Sequence, residues 1–512
     1  MSGFVHGRDI ASDLKLTADV CIVGSGAGGS VLAARLSEMG RSVVVLEEGG
    51  YYTKGEFVLH EKEAMANLYQ QAGLRTTNDK SIAVMQGRTV GGSTTVNWTT
   101  CFRTPDRIPA HWKDVNGVTT LSSEVLRPHF EAVEARLNIQ PWPVERQNAN
   151  NATLWRGAGK LGWHRGQIRR NVLRCMNSGY CGFGCPVDAK QAMHLTFLPD
   201  AVEHGATIYA DTRAERVEMS GRRATRVRAS VLDRKTSRPT GRTVEVEAKI
   251  VAVCGGAINT PMLLQQSGLT AGGLVGKRTF MHPATALLGF YEDQISPYYG
   301  APQSAYSHQF VEPEAGEIGF FHEVAPLHPM LTAVAMGGFG RPHQEAMSRL
   351  PNASGMAGLL VDGLLPQEAG ATVSRRSDGR PSIDYPLGAL QMNAFRKMFE
   401  TIARLHFAAG AQEVRSLHTN PVVMKSEAEI DKLRKAPMEP LRFPIFTFHQ
   451  MGGAGMGGPG RDTVVDDRLR LREADNVFVV DGSTFPTALG VNPSETIYGL
   501  SRWASSHISD AV

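Results

Sequence analysis

The segment Ala18–Leu46 constrains the fold more than any other part of the chain. It runs from a short apolar stretch ending at Gly24 through a glycine-rich turn into a helical pattern over Ser30–Met39. Gly40 closes that pattern, and a second apolar stretch follows at Val43–Leu46. Strand, glycine turn, helix, strand is the opening βαβ unit of a doubly wound sheet. Gly24, Gly26 and Gly29 form G-x-G-x-x-G at the turn. The first glycine permits the tight turn, the second lets a pyrophosphate approach the backbone, and the third allows close helix–strand packing. The helix N-terminus then faces the anion. Glu47 ends the second strand, where a carboxylate can accept hydrogen bonds from ribose hydroxyls and repel a 2′-phosphate. The glycine pattern recurs at Gly453, Gly455 and Gly458, but Pro459 follows at once and no amphipathic helix comes after it. A second dinucleotide domain is therefore not expected.

A chain of 512 residues is too long for one core, and two domains are expected. Two later segments share the α/β character of the first. Lys249–Gly268 passes from strand through a Gly-Gly turn to a helix, and Asn476–Ser505 passes from strand through a loop to a helix. The stretches between are richer in Pro, His, Met and aromatics. These features predict an α/β fold (α+β overall). Its Rossmann-like nucleotide-binding domain is assembled from residues 1–130, 200–290 and 445–512, with a substrate domain from 131–199 and 291–444. The 54 basic and 50 acidic residues are interleaved, so no nucleic-acid footprint is present. No apolar stretch approaches the roughly 18 residues of a membrane span. The N-terminal residues lack the basic start and apolar middle of a secretory signal. A cytoplasmic protein is expected, with association at a membrane surface left open.

Three of the six cysteines lie close together as Cys175-x5-Cys181-x3-Cys185-Pro186. Thiolates at such spacing can hold an iron–sulfur cluster, and Cys-Pro closes many ferredoxin ligand runs. The run does not match a four-cysteine pattern, so free thiols in a packed loop or one local disulfide stand beside the cluster as readings. Zinc is disfavoured by the lack of a fourth ligand nearby.

Four ordered motifs resemble the glucose–methanol–choline (GMC) oxidoreductase family: the fingerprint, the loop Gly87–Asn97, the segment Gly255–Gly268 and the C-terminal segment Asp481–Ile497. The resemblance implies an antiparallel-sheet substrate domain and bound FAD. It places Gly24, Gly26, Ala27, Gly29, Glu47, Glu48, Arg88, Gly91, Gly92, Ser93, Asn97, Val217, Gly255, Asp481, Gly482, Asn492, Pro493 and Thr496 at the cofactor. Some family members tether the flavin through a histidine at the position of Val96, which cannot form that link, so the FAD is expected to be non-covalent. The Cys-rich segment, His449–Gly452 and Phe485–Pro493 look most like the long-chain alcohol oxidase branch. Gly453 departs from the family, which usually has threonine there.

The resemblance puts His449 at the family's base position and Asn492 at its second active-site position. Oxidising an alcohol by hydride transfer requires removal of the hydroxyl proton, and an imidazole with a pKa of about 6.5 suits that task near neutrality. An amide at Asn492 can hold the substrate oxygen close to the base and the flavin. His282, in a Met-His-Pro turn, is read as structural. The expected activity is oxidation of a lipophilic long-chain, cyclic or aromatic alcohol to an aldehyde or ketone. Oxygen, a quinone or a cytochrome would take the electrons. A hydroxynitrile-lyase-like reaction and a light-driven fatty-acid decarboxylation are the alternatives on the same scaffold.

Overall fold

The apolar run before the fingerprint is the ten-residue strand Leu14–Val23, whose final four residues are all buried. A strand covered on both faces cannot alternate polar and apolar residues, and this one ends in an unbroken apolar stretch. In the computed structural model, which describes residues 3–512, it pairs in parallel with Val43–Leu46 on one side and with Pro239–Val253 on the other. Thr207–Tyr209 and Phe4–Val5 extend the sheet beyond Val43–Leu46, both in parallel. The fifteen-residue strand Pro239–Val253 changes partner along its length. Its first part pairs antiparallel with Arg223–Leu232, which pairs with Thr212–Ser220, while its end pairs in parallel with Val477–Val479. The result is an eight-stranded sheet with a parallel centre and an antiparallel wing.

The fingerprint helix, Ala27–Glu38, packs against the helices Phe197–Glu203 and Ser494–Asp510. In the last contact the Ser501 hydroxyl donates to the Gly28 carbonyl at 2.7 Å. A Cβ at Gly28 would stand 1.9 Å from the Val480 carbonyl oxygen, and one at Gly29 would stand 1.9 Å from that of Gly24. The second face of the fold is a nine-stranded sheet centred on Ala284–Phe290, Ala353–Leu360 and Phe320–Ala325, all antiparallel. The twenty-residue helix Ala389–Ala408 lies against it and buries Phe395, Met398, Phe399 and Ile402 in a core shared with Leu287, Val324 and Met356. No described helix is long and apolar enough to cross a membrane.

The expected segment boundaries need revision at three places. Ala284–Phe290 and Ile82–Val84, placed by sequence in the nucleotide-binding part, are strands of the nine-stranded sheet. Ile82–Val84 joins it through Ile445–Thr447. Conversely, the two ends of 131–199 pack into the core of the first sheet, through Val133, Leu137 and Ile139 and through Met193, Phe197 and Leu198. Its helix Ala149–Leu161 packs in the core of the second. The helix Ser123–Leu137 presents Leu126, Phe130, Val133 and Leu137 at i, i+4, i+7, i+11, an apolar stripe that faces the C-terminal helix. The glycine run at 452–458 contains the short strand Met456–Gly457, paired in parallel with Val465–Asp466.

Gly29→Ala should destabilise the protein, since the added methyl must displace backbone rather than a flexible side chain. Overpacking of this kind typically costs about 1–3 kcal/mol. Thermal unfolding of the variant should begin at a lower temperature than that of the parent. An unchanged transition would mean that the helix–strand contact is looser than its geometry.

Candidate active site

The fingerprint turn has the properties of an anion cradle. Gly24 adopts φ +101°, and a Cβ there would lie 2.4 Å from the Cys254 carbonyl oxygen. Gly26 caps the helix that Ala27 opens, with no side chain on its N-terminal amides and no acid in its first turn. Those amides and the positive end of the helix are left for an external anion. The loop Gly87–Asn97 reaches this turn backbone to backbone, for a Cβ on Gly92 would lie 2.7 Å from the Gly26 Cα. Ser25 links the two: its hydroxyl accepts from the Gly91 amide at 3.0 Å and donates to Glu47 Oε2 at 2.7 Å. Glu47 also accepts from the Ser25 amide at 2.9 Å and the Gly49 amide at 2.7 Å. Burial pushes its carboxyl above the usual range, against these three bonds.

The other expected cofactor residues fall into two groups. Glu48 is held by Arg88, whose Nε lies 3.3 Å from Glu48 Oε1, and by Gln70. Ser93 accepts from the Gly87 amide at 2.9 Å, and the Val217 amide already donates to Ser267 at 2.9 Å. The Asn97 carbonyl accepts from buried Lys190 at 3.1 Å, and Thr496 bonds Thr104 at 2.8 Å. Asp481 ties the second and last motifs together. It accepts from the Gly256 amide at 2.7 Å, Thr260 Oγ1 at 2.6 Å and the Ser483 amide at 2.8 Å. Gly255 and Gly482 flank that junction, and Pro493 caps the helix Ser494–Asp510. Along the same C-terminal segment Ser483 Oγ, Asn492 Oδ1 and the Tyr498 hydroxyl are buried with no hydrogen-bond partner. A bare helix N-terminus, a buried acid after the second strand and these orphaned groups fit a flavin dinucleotide.

His449 and Asn492 are both buried, and a third residue joins them. His449 Nδ1 lies 3.2 Å from His282 Nδ1, and the Gly490 amide donates to His282 Nε2 at 3.3 Å. His282 is thus in direct contact with the expected base and with the segment that carries Asn492, a closer association than a structural turn implied. Its backbone is held at φ +44° by Asp362, which accepts from the Met281 and His282 amides at 2.9 Å each. Burial lowers His449 to about 3, so the ring is neutral at neutral pH and does not titrate there. Asn492 Nδ2 approaches Glu323 Oε2 at 3.5 Å, and Gln303 Nε2 donates to the same oxygen at 2.7 Å. Burial raises Glu323 to about 7. Sequence reasoning passed over Glu323. Its one signal was an acid inside the otherwise apolar strand Phe320–Ala325, next to His322.

Of the readings left open for the cysteine segment, an iron–sulfur cluster is not supported and free thiols in a packed loop are what the structure shows. Cys175 Sγ lies 3.9 Å from Asn177 Oδ1, Cys181 Sγ accepts from Arg170 at 3.7 Å, and Cys185 Sγ accepts from the Lys190 amide at 3.5 Å. Each sulfur faces its own partner, all six cysteines are free, and no group of three or more metal-ligating side chains occurs among the described residues. Lys190 organises the segment instead. Its ammonium donates to the carbonyls of Thr95, Asn97 and Cys181, which pins the cysteine loop to the Gly87–Asn97 loop. Val96 packs in an apolar cluster with Tyr52, Phe57 and Phe183.

Family models described as GMC oxidoreductase match residues 65–284 and 370–501, and a model described as NAD(P)-binding Rossmann-like domain matches 22–52. An uncharacterised GMC-type oxidoreductase of Mycobacterium tuberculosis is 34% identical, over 94% of this chain and 74% of its own length. The chain belongs to the GMC oxidoreductase family. A long-chain-alcohol oxidase of Arabidopsis thaliana is 28% identical, over 98% of this chain and 69% of its own. Among solved structures, a formate oxidase of Aspergillus oryzae RIB40 superposes with a TM-score of 0.71 at 15% identity, covering 98% of this chain and 99% of the other. The GMC fold is therefore that of the whole chain.

Purified, flavin-replete protein should contain neither stoichiometric iron nor acid-labile sulfide, even when prepared without oxygen. Iron and sulfide in equal, near-stoichiometric amounts would restore the cluster.

Proposed function

We propose that this GMC oxidoreductase oxidises a lipophilic alcohol to an aldehyde or ketone with non-covalent FAD. The observation that carries the reading is the buried polar constellation of His449, His282, Asn492 and Glu323, built from the nine-stranded sheet and its flanking turns and from the C-terminal segment expected at the cofactor. Bound FAD would supply the hydride acceptor. The chain's own residues do the rest. The first sheet would carry the cofactor through the Gly24–Gly29 turn, Glu47 and the Gly91–Asn97 loop, and the second sheet would carry the substrate. His449 and Asn492 would hold the alcohol oxygen in place, since fixing the reacting atoms recovers much of the barrier of a bimolecular reaction. Apolar neighbours favour a lipophilic carbon skeleton. Trp98 packs on Phe448 at 5.3 Å, next in the chain to His449, and Phe321 packs on His282. Similarity to an Arabidopsis long-chain-alcohol oxidase, and at 23% identity to a 2-methyl-1,2-propanediol dehydrogenase of Mycolicibacterium austroafricanum, supports alcohol as the substrate class. Oxygen, a quinone or a cytochrome would reoxidise the flavin. Six free cysteines fit a reducing cytoplasm, in solution or at a membrane surface.

The cofactor and the chemistry are tested separately. The protein should release intact FAD on acid denaturation, because Val96 offers no attachment point. Glu47→Ala should weaken FAD retention by about 1–3 kcal/mol through loss of a buried charged acceptor. Flavin that stays with the precipitated polypeptide, or a variant that binds FAD as tightly as the parent, contradicts the respective assignment. For the chemistry, anaerobic mixing with a panel of alcohols should bleach the flavin. His449→Ala should slow that reduction by about 10²–10⁴-fold with FAD retained, and Asn492→Ala by less. Reduction of the His449→Ala protein at the parental rate would remove His449 from the reaction.

A further inference from the structure

A charged hollow, lined by none of the residues placed at the cofactor or the alcohol, opens on the surface. It lies between the start of the helix Arg107–Asn116 and that of Ser123–Leu137, and measures about 380 Å³ out to its open mouth. Pro109, Leu126 and Phe130 give it an apolar floor, and the guanidiniums of Arg103 and Arg127 stand on its walls. Asp106 is the one carboxylate on the lining. The Arg103 guanidinium lies 6.0 Å from the centre of the Phe130 ring, so charge and aromatic surface meet in the same space. Arg127 is exposed and makes no hydrogen bond or ion pair with a described residue.

Arg103 is not a loose surface arginine. Its Nε and Nη2 donate to the two oxygens of Glu134 at 2.5 and 2.7 Å, a bidentate pair that fixes the plane of the guanidinium. Glu134 is buried and held a second time, its Oε1 receiving Arg169 Nη1 at 2.6 Å. Arg169 reaches on to Glu495 Oε1 at 3.4 Å. Thr104, another wall of the hollow, is buried and bonded to Thr496 at 2.8 Å. The Arg103 fork is therefore set in advance, and a donor fixed before its ligand arrives lowers the entropy cost of binding. Its outer N–H groups, on Nη1 and the far side of Nη2, have no acceptor among the described residues. The charge beneath it is unbalanced as well. Burial pushes the Glu495 carboxyl well above the usual carboxylate range, so it is neutral at neutral pH. Arg103 and Arg169 then share the single charge of Glu134.

Two arginines over an apolar floor suit an anion that carries an apolar body. A guanidinium fork matches the two oxygens of one carboxylate, and an aromatic or short alkyl group would rest on Phe130, Leu126 and Pro109. A bare phosphate would meet the charges and leave the floor wet. We propose that this hollow is a binding site for a small organic carboxylate, gripped by Arg103 and Arg127. The site stands apart from the alcohol reading. It needs neither flavin reduction nor proton transfer, only the fold that fixes Arg103.

Calorimetric titration of the FAD-loaded protein with benzoate, acetate and inorganic phosphate tests the site. Benzoate should bind once per chain and at least about tenfold more tightly than acetate, since its ring covers the apolar floor. Arg127→Gln should weaken benzoate binding by about tenfold or more, the usual loss when a charged hydrogen-bond partner is removed. Because Arg127 has no partner in the fold, the variant should keep its FAD and the parental unfolding temperature. Benzoate held at the flavin instead would bind Arg127→Gln as tightly as the parent, and that result overturns the site. Absence of benzoate binding to the parent overturns it too. Phosphate that binds as tightly as benzoate would reduce the hollow to an anion patch and overturn the carboxylate assignment.

Discussion

The contact between Gly26 and Gly92 is the constraint on which the site depends. Two loops far apart in the chain approach until their backbones touch, and a methyl group on Gly92 would close the gap to 2.7 Å. That approach brings the Gly91 amide within reach of the Ser25 hydroxyl, and Ser25 passes the contact on to Glu47. Three segments expected at the cofactor are thereby joined in one hydrogen-bonded chain. Lys190 performs the matching task on the other side of the same loop, using three donors on three carbonyls. A buried ammonium is costly unless it is fully satisfied, and satisfaction here requires both loops to be in place. The Gly87–Asn97 loop is thus fixed from two sides by interactions that each need the other's geometry.

Local motifs were legible because their physics is local. A strand, three glycines at set spacing and a helix start specify their own turn, and the structure forms that turn around Gly24, Gly26 and Gly29. What sequence could not reach were pairings between distant residues. Ile82–Val84 looks like any short apolar run, and its place in the nine-stranded sheet depends on Ile445–Thr447, hundreds of residues later. Glu323 has no motif at all. It matters only because strand pairing sets it beside Gln303 and the C-terminal segment returns Asn492 to it. The cysteines show the converse, a spacing that leaves several readings open until the loop is folded. Their spacing permits a ligand set, but the loop gives each sulfur a different neighbour, and Lys190 fills the role of fastener.

The histidines show why a residue type does not fix a chemical role. An imidazole near a flavin suggests a base, on the strength of its ordinary pKa. Burial moves His449 to about 3, so the ring is neutral at neutral pH and only one of its nitrogens carries a proton. Which nitrogen that is depends on His282, and His282 is set by the amide of Gly490, 208 residues away in the chain. The information is one hydrogen-bond direction, carried across two rings. A backbone amide is well suited to hold that direction, because it cannot reverse or titrate. Gly490 in turn owes its place to the turn preceding Asn492, where its φ of +71° is accessible to glycine at little cost. The same short turn therefore delivers Asn492 to Glu323 and an N–H to His282. One backbone geometry orients both polar ends of the site.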